Sequence, residues 1–275
     1  MPFLLFLGAM RFVNSEDHSR SIIPLPDASL AIARPAAGRV LSEMVGETLA
    51  LARREALLTS GEYVNSLWMR FVPVAGTKVL FSVWETRVQD YGVFAKETGR
   101  NLYRPSFQQE STHPVVEVSW EDAVAFCVWL SKKEGRLYRL PTDAEWSVAV
   151  GLGVENGSTP EKKALKVAGY PWGEAWPPPQ GAGNYHPDLE VDDFEYTSPV
   201  GSFAANAFGL YDLGGNVWEL CEDWYDDEKT TRVLRGGSWD YGDVWVLRSS
   251  FRDYDPPSDR RGDRGFRCVL VVSGG

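Results

Sequence analysis

Apolar residues follow two different spacings between residues 63 and 150 of the chain. The segments 70–74 and 79–84 are short and apolar, and β-branched and aromatic side chains predominate in them. Runs of this kind are typical of strands. Both segments are therefore predicted to be strands of a sheet.

Helix starts are predicted at Thr86, Ser119 and Thr142. Each is followed three residues later by a side chain that can complete a capping box, namely Gln89, Asp122 and Glu145. A capping box provides partners for N–H groups in the first turn of a helix. The second helix is expected to end near Gly135. Apolar residues then recur at helical spacing, with Val88, Tyr91, Phe94 and Ala95 in the first helix and Ala123, Phe126, Cys127 and Leu130 in the second.

After residue 151 no further regular helix is predicted. Residues 153–201 are rich in Gly, Pro, Asn and Asp, and such stretches favour turns and loops. A loop region of this length in a compact domain is usually functional or held in place by a bound group.

The first 62 residues differ in character from the rest and predict a division into two parts. Residues 3–13 are predicted to form a strand and residues 36–60 an amphipathic helix. We interpret residues 1–62 as an accessory segment and residues 63–275 as the main domain. Packing of this segment on the main domain is favoured over a role as a partner-docking arm. The apolar run 3–10 is too short to cross a bilayer and lacks signal-peptide features, so no membrane span and a cytoplasmic location are expected.

Charge and cysteine content exclude several classes of protein. The 275 residues carry a net charge of −10, with a pI of about 4.9. Nucleic-acid binding requires clustered Lys and Arg, so no nucleic-acid partner is expected. Cys127, Cys221 and Cys268 show no paired spacing, which argues against a zinc site and a disulfide framework.

Six motifs occur in order between residues 113 and 268. They are His113-Pro-Val-Val-Glu-Val-Ser-Trp120, Arg139-Leu-Pro-Thr-Asp-Ala-Glu-Trp146, Tyr170-Pro-Trp-Gly173, Gly209-Leu-Tyr-Asp-Leu-Gly-Gly-Asn-Val-Trp-Glu219, Arg235-Gly-Gly-Ser-Trp239 and Gly265-Phe-Arg-Cys268. Together they resemble the formylglycine-generating-enzyme, or sulfatase-modifying-factor, domain family. The resemblance implies an α+β fold of the C-type lectin-like kind. Such a fold is loop-rich, with small antiparallel sheets and a few helices.

The resemblance also implies where oxidation chemistry would reside. Family enzymes that convert cysteine to formylglycine hold copper between two cysteines after the Gly-Gly-Ser motif, because Cu(I) prefers thiolates. Here Tyr241 and Val246 occupy those positions. The histidine-bound iron of the sulfoxide-synthase branch is also not expected, since His18, His113 and His186 are scattered. We therefore expect neither copper nor iron and assign no catalytic residue.

Structural calcium is the one cofactor that the resemblance implies. A first ligand set maps onto Asn184, Tyr185, Asp192 and Phe194. A second set maps onto Asp212, Gly215, Val217 and Glu219. Carboxylate and carbonyl oxygens suit Ca²⁺. The alternative for Asp212 and Glu219 is that they cap turns and pair with arginines.

Three polar clusters near the C-terminus form the candidate ligand-binding surface. They are Asp240-Tyr-Gly-Asp243, Asp253-Tyr-Asp255 and Arg261-Gly-Asp-Arg264. Tyr and Gly together with short polar residues are typical of paratopes. The candidate contacts to a protein or other macromolecular ligand are Asp240, Tyr241, Gly242, Asp243, Trp245, Phe251, Asp253, Tyr254, Asp255, Asp259, Arg261, Asp263 and Arg264. Of these, Tyr241 and Tyr254 are expected to contribute most of the binding energy.

This segment also resembles the variable region of diversity-generating-retroelement target proteins, which share the fold. In those systems, randomised adenines turn Asn codons into codons for Asp, Tyr, Gly, Ser, Phe or Arg, but never Trp. Trp245 is therefore interpreted as framework, as are Val246, Leu247, Arg248, Ser249, Arg252, Pro256 and Arg260. The sequence predicts a non-catalytic ligand-binding protein with a C-terminal variable surface. The alternatives are a binding surface of fixed specificity, a family oxidoreductase with another residue set, and a regulatory module of a larger signalling or defence assembly.

Overall fold

The computed structural model describes residues 61–164 and 169–272. The strand predicted over 3–13 and the helix predicted over 36–60 lie outside the described residues. The strands within them are β1 Tyr63–Val64, β2 Arg70–Pro73, β3 Val79–Ser82, β4 Tyr138–Arg139, β5 Trp218–Trp224, β6 Arg232–Arg235, β7 Asp253–Asp255, β8 Arg264–Gly265 and β9 Val269–Val271. The helices are α1 Val88–Thr98, α2 Trp120–Glu134, α3 Asp143–Val150 and α4 Pro160–Ala164, and a 3₁₀ turn spans Pro187–Leu189.

The strands form two sheets. One has the order β1-β2-β3-β9-β4 and is antiparallel throughout. The other has the order β7-β6-β5-β8, in which only β5 and β8 are parallel. The strands predicted over 70–74 and 79–84 are confirmed as β2 and β3. The predicted α+β fold, with small antiparallel sheets and a few helices, is also confirmed.

Two of the three predicted capping boxes begin helices as expected. Ser119 caps α2 and Thr142 caps α3, each accepting the N–H three residues on, at 3.2 Å and 3.1 Å. The box predicted from Thr86 to Gln89 is wrong by one residue. Arg87 occupies the N-cap position of α1 instead. The Asp90 carboxylate accepts hydrogen bonds from the backbone N–H of Arg87 at 3.1 Å and from the Arg87 side-chain Nε at 2.8 Å.

Helix α4 corrects the prediction that regular helix stops at Gly151. Pro160 begins this helix, and the fixed φ of proline suits a first helical position. The preceding Thr159 accepts the N–H of Lys162 at 3.4 Å. The surrounding Gly and Asn residues masked this short start signal in the sequence.

An aromatic core fixes the strand that carries the candidate site. Phe126 of α2 lies 6.0 Å from Tyr91, 5.6 Å from Phe94 and 5.5 Å from Phe266, measured between ring centroids. Burial of each ring contributes about 2–3 kcal/mol to folding. Because Phe266 directly follows β8, its burial holds β8 beside β5. The predicted polar clusters are thus attached to a rigid part of the fold.

Candidate recognition site

Arg264 lies where the predicted polar clusters meet. Its guanidinium donates to Asp255 at 2.7 Å, to Asp253 at 3.5 Å and, in a shorter contact, to Asp263. The same group lies 5.8 Å from the ring of Trp218, its register partner on β5. One side chain therefore joins the second cluster to the third.

Ser238 connects the first polar cluster to the same centre. Its hydroxyl lies 3.4 Å from the carboxylate of Asp263 and accepts the N–H of Asp240 at 3.4 Å. The ring of Tyr241 meets Trp218 edge-on, with centroids 5.4 Å apart. Three clusters that are separate in the sequence thus surround one centre in the fold.

Burial and ion pairing shift the pKa values of the charged groups at this centre in opposite directions. Burial alone would lower the pKa of Arg264, but Asp263 and Asp255 more than offset it, and the pKa of the guanidinium is raised. Burial raises the pKa of Asp263, and Arg264 opposes this shift. The charge of Arg264 therefore decides whether the surrounding carboxylates are tolerated inside the fold.

The candidate ligand contacts differ in exposure. Six are exposed, namely Asp240, Asp243, Trp245, Tyr254, Asp259 and Arg261. Four are half-buried, namely Tyr241, Gly242, Phe251 and Asp253. Three are buried, with 7% of Asp255, 7% of Asp263 and 3% of Arg264 exposed. These three form internal ion pairs, so only a small part of each side chain is accessible to a ligand.

Packed side chains occupy the positions of the family's cysteine pair. Tyr241 and Val246 both contact the main hydrophobic core. The chain's cysteines are buried elsewhere, and burial raises the pKa of the Cys127 and Cys221 thiols. Cys127 lies 3.6 Å from Cys268, sulfur to sulfur, a contact that their sequence separation did not reveal. Tyr241 and Val246 offer no thiolate, so these residues do not fit a copper ion.

Trp245 departs from its interpretation as framework. Its side chain is 57% exposed, whereas the framework residues Leu247 and Arg252 are buried as predicted. The guanidinium of Arg248 lies 4.9 Å from the centroid of the Trp245 ring. The indole of Trp245 therefore does not pack in the interior of the domain.

An aromatic stack beside the first polar cluster was missed from the sequence. Arg248 lies 5.1 Å from the ring of Tyr170, which stacks on Trp172 at 4.7 Å with planes 5° apart. Trp176 is 38% exposed and contacts both of these rings. The motif Tyr170-Pro-Trp-Gly173 signalled a rigid turn, but only the fold places that turn beside Arg248, which also contacts the Trp245 ring. We call the set Trp172, Tyr170, Arg248 and Trp245 the aromatic stack.

The first calcium set contains an oxygen that suits a cation. The amide nitrogen of Asn184 donates to a backbone carbonyl at 2.8 Å and to Asn216 Oδ1 at 3.2 Å, which fixes the amide orientation. Asn184 Oδ1 is therefore left buried with no hydrogen-bond partner in the described part of the chain. Asp192 curls the loop by accepting the N–H groups of Tyr185 at 3.0 Å and Phe194 at 2.9 Å. These residues fit an oxygen-ligated cation.

The carboxylate of the second calcium set already has a positive partner. Glu219 Oε2 accepts from Arg267 at 2.7 Å and from the Trp146 indole at 3.0 Å, and Oε1 accepts from Arg267 at 2.5 Å. The guanidinium of Arg267 thus neutralises Glu219. This is the arginine pairing that the sequence left open as the alternative.

The other members of the second set form a buried turn. Asp212 accepts the Gly201 N–H at 2.7 Å, and burial raises its pKa to about 6. Gly215 adopts φ 83°, and a side chain there would meet the Asn184 carbonyl, while Val217 is fully buried. Because the Glu219 carboxylate is already neutralised by Arg267, the second set does not fit calcium.

A separate buried ion network anchors the ends of the first polar cluster's segment. Asp143 contacts Arg235, lies 3.0 Å from Arg252 Nε and 3.1 Å from Lys163 Nζ. Burial alone would raise the pKa of Asp143, but Arg235 and Arg252 hold it at about 2. Arg252 also pairs with Glu155. Because Arg235 precedes the Gly-Gly-Ser turn and Arg252 precedes β7, this network holds both ends of residues 236–251.

These features define a loop-rich α+β domain with an acidic, aromatic C-terminal surface and no thiolate pair after its Gly-Gly-Ser turn. The chain belongs to the sulfatase-modifying factor enzyme 1-like domain family, whose model matches residues 51–272. No helix within residues 61–164 or 169–272 is long and apolar enough to cross a membrane.

Known proteins similar to this chain include enzymes and a relative named as inactive. The formylglycine-generating enzyme of Thermomonospora curvata is 34% identical over 184 residues, 60% of this chain and 57% of that protein. The inactive C-alpha-formylglycine-generating enzyme 2 of Mus musculus is 38% identical over 172 residues, 57% and 48% of the two chains. The chain thus spans about half the length of these curated relatives. Treponema denticola variable protein 1 shares the fold, with a TM-score of 0.57 and 21% identity over 77% of this chain and 98% of its own.

Proposed function

We propose that this protein is a non-catalytic binding protein that presents residues 240–264 to a protein or other macromolecular ligand. The observation that carries the proposal is the replacement of the family's cysteine pair by Tyr241 and Val246, with Tyr241 packed on Trp218 at 5.4 Å. Neither replacement can supply a thiolate to copper. The relative from Mus musculus, whose name calls it inactive, supports the proposal.

The division between exposed and buried residues suits a display surface. We call the exposed residues Asp240, Asp243, Trp245, Tyr254, Asp259 and Arg261 the recognition surface. The buried ion pairs of Arg264 hold the loops beneath it. Tyr254 is 49% exposed and rests on Tyr225 at 4.4 Å, so it is a better anchor for a ligand than the half-buried Tyr241. Aromatic anchors of this kind contribute a large share of binding energy.

We further propose that the exposed positions tolerate exchange, as in diversity-generating-retroelement target proteins. The narrow set of residue types in this segment and the fold shared with Treponema denticola variable protein 1 support this proposal. A genomic template copy that differs from the coding sequence only at adenines, beside a reverse transcriptase, is the expected finding. A neighbouring copy that differs at all bases alike contradicts it.

A pair of libraries tests the display function. Random substitution at Asp240, Asp243, Tyr254, Asp259 and Arg261 is expected to leave most members folded, because surface changes usually cost less than about 0.5 kcal/mol. Protease resistance on a display platform measures folding, and selection on unrelated target proteins is expected to yield binders.

The matched control library randomises the buried residues Asp255, Asp263 and Arg264. Most of its members are expected to lose protease resistance, because they leave buried charges unpaired. Equal loss of folding in both libraries, or a surface library without binders, contradicts the display function.

We also propose that Asn184, Tyr185, Asp192 and Phe194 hold a structural Ca²⁺. The unpartnered, buried Asn184 Oδ1 beside the Asp192 loop supports this proposal. A bound ion would keep the loop that carries Asp192 ordered. The ion would act as a structural support, with no role in a reaction.

Saturating calcium is expected to raise the melting temperature of the full chain by about 5 °C or more, since a ligand at 100 times its Kd adds about 2.7 kcal/mol. Asp192→Ala is expected to abolish this rise. The exposed neighbour Asp193 provides the control, and Asp193→Ala is expected to retain the rise. Calcium-induced stabilisation that is equal in both variants contradicts this assignment, as does its absence from the unmodified protein.

A further inference from the structure

We infer that Trp245 is a fixed anchor for a positively charged side chain and that the partner is therefore a basic polypeptide. The inference rests on the proposed recognition function and specifies the chemistry of the ligand. It concerns the end of the aromatic stack, where the indole of Trp245 is 57% exposed.

Hydrogen bonds hold the backbone that carries the indole in position before any ligand arrives. The backbone N–H of Trp245 donates to Asp243 Oδ1 at 2.7 Å, and the backbone carbonyl of Trp245 accepts the backbone N–H of Arg248 at 3.4 Å. The hydroxyl of Tyr170 donates to the neighbouring carbonyl of Val244 at 3.1 Å. Arg248 then fills the space between the Trp245 and Tyr170 rings. A ring fixed in this way loses little conformational entropy on binding.

The segment that carries the indole and the turn that packs on it both contain exposed carboxylates. Asp240 and Asp243 are exposed beside it in the chain. The 3₁₀ turn at 187–189 packs against the same segment, since the His186 N–H donates to the Tyr241 carbonyl at 3.0 Å. That turn adds Asp188, whose side chain is 92% exposed. Exposed carboxylates on the segment that carries the ring favour a cationic partner and disfavour an acidic one.

An aromatic ring attracts a guanidinium or ammonium group through its electron-rich face. The chain already uses this interaction elsewhere, since Arg232 lies 3.6 Å from the ring of Trp120 and 3.4 Å from that of Trp224. Arg248 occupies one part of the Trp245 surface. A partner cation would stack on the exposed part and pair with Asp243, which offsets its repulsion from Arg248.

The proposed exchange of surface residues would leave this anchor unchanged. Randomised Asn codons cannot encode Trp, so Trp245 would stay constant while Asp240, Tyr254 and Arg261 change. All variants of the surface would then share one cation-binding contact. The variable side chains around it would select among basic partners.

The test uses fluorescein-labelled peptides of equal length, with repeated Gly-Arg, Gly-Glu or Gly-Ser units, titrated with the full chain at low ionic strength. The Gly-Arg peptide is expected to bind, and the other two are not. Trp245→Ala is expected to weaken binding about five- to tenfold, the size of a partly desolvated cation–π contact. Asp243→Asn is expected to weaken it about twofold to threefold.

Trp68→Ala is the matched control, because Trp68 is 59% exposed and lies outside the recognition surface. This variant is expected to bind as the unmodified chain does. Absence of Gly-Arg binding, equal binding of the Gly-Ser peptide, or full affinity in Trp245→Ala overturns the inference. If the Gly-Arg peptide fails while the surface library folds and yields binders, only the partner class is wrong. If the surface library itself does not fold, the display function fails regardless of the peptide result.

Discussion

Replacement of Arg264 by leucine is expected to lower the free energy of unfolding by about 3–5 kcal/mol, the cost of leaving buried charges without a partner. Asp255 and Asp263 are both 7% exposed and would lose their common guanidinium. Urea unfolding at pH 7, followed by tryptophan fluorescence, measures this loss. The second and third polar clusters would separate, since Arg264 joins them.

Arg261→Leu is the matched control for this prediction. Arg261 lies on the same loop, its side chain is 51% exposed, and its ion pairs to Asp255 and Asp259 are longer, at 3.3 Å and 3.4 Å. Exposed ion pairs contribute about 0–1 kcal/mol, so this variant is expected to unfold near the urea concentration of the unmodified protein. Similar losses in the two variants would show that Arg264 is not the centre of the site.

Asp143→Ala is expected to destabilise the protein to a similar extent, by about 3–5 kcal/mol. Arg235 and Arg252 would remain fully buried, and Arg235 would lose its carboxylate partner. Asp188→Ala, at a side chain that is 92% exposed, is expected to change the stability by less than about 0.5 kcal/mol. A small effect of Asp143→Ala in urea unfolding would mean that the network does not anchor residues 236–251.

The same network predicts a dependence on pH. Asp143 has a pKa of about 2 in the fold, below its ordinary value. Its ion pairs therefore stabilise the fold fully above the ordinary carboxyl pKa, and this stabilisation is lost as the pH falls from about 4 to about 2. The loss is about 2 kcal/mol for this one group. In Asp143→Ala the free energy of unfolding is expected to change less with pH over this range. An unchanged pH dependence would contradict the role of Asp143 in the network.

The regular elements could be predicted largely because their signals are local. Ser119 with Asp122 and Thr142 with Glu145 identified two helix starts, since a capping box lies within one turn. The helix start predicted at Thr86 was wrong because either Gln89 or Asp90 could complete a capping box in the sequence. The ion pair between Arg87 and Asp90 selects the later start. The fold class followed from ordered motifs rather than from any single element.

The candidate site could be located from the sequence but not resolved into its parts. Asp255, Asp263 and Arg264 have the same polar character as Asp240 and Asp243, and composition does not distinguish buried ion pairs from exposed groups. The aromatic stack depends on a contact between Tyr170 and Arg248, which are distant in the sequence. Tertiary packing alone places them 5.1 Å apart.

The most direct test of the central claim is a turnover assay on the full chain, supplied with Cu(I), oxygen and a cysteine-containing peptide. Mass spectrometry of the peptide reports whether its thiol is converted to an aldehyde. With Tyr241 and Val246 in place of a sulfur pair, we expect no conversion above the protein-free control. Repeated conversion by the purified chain would contradict the assignment of this domain as a binding protein.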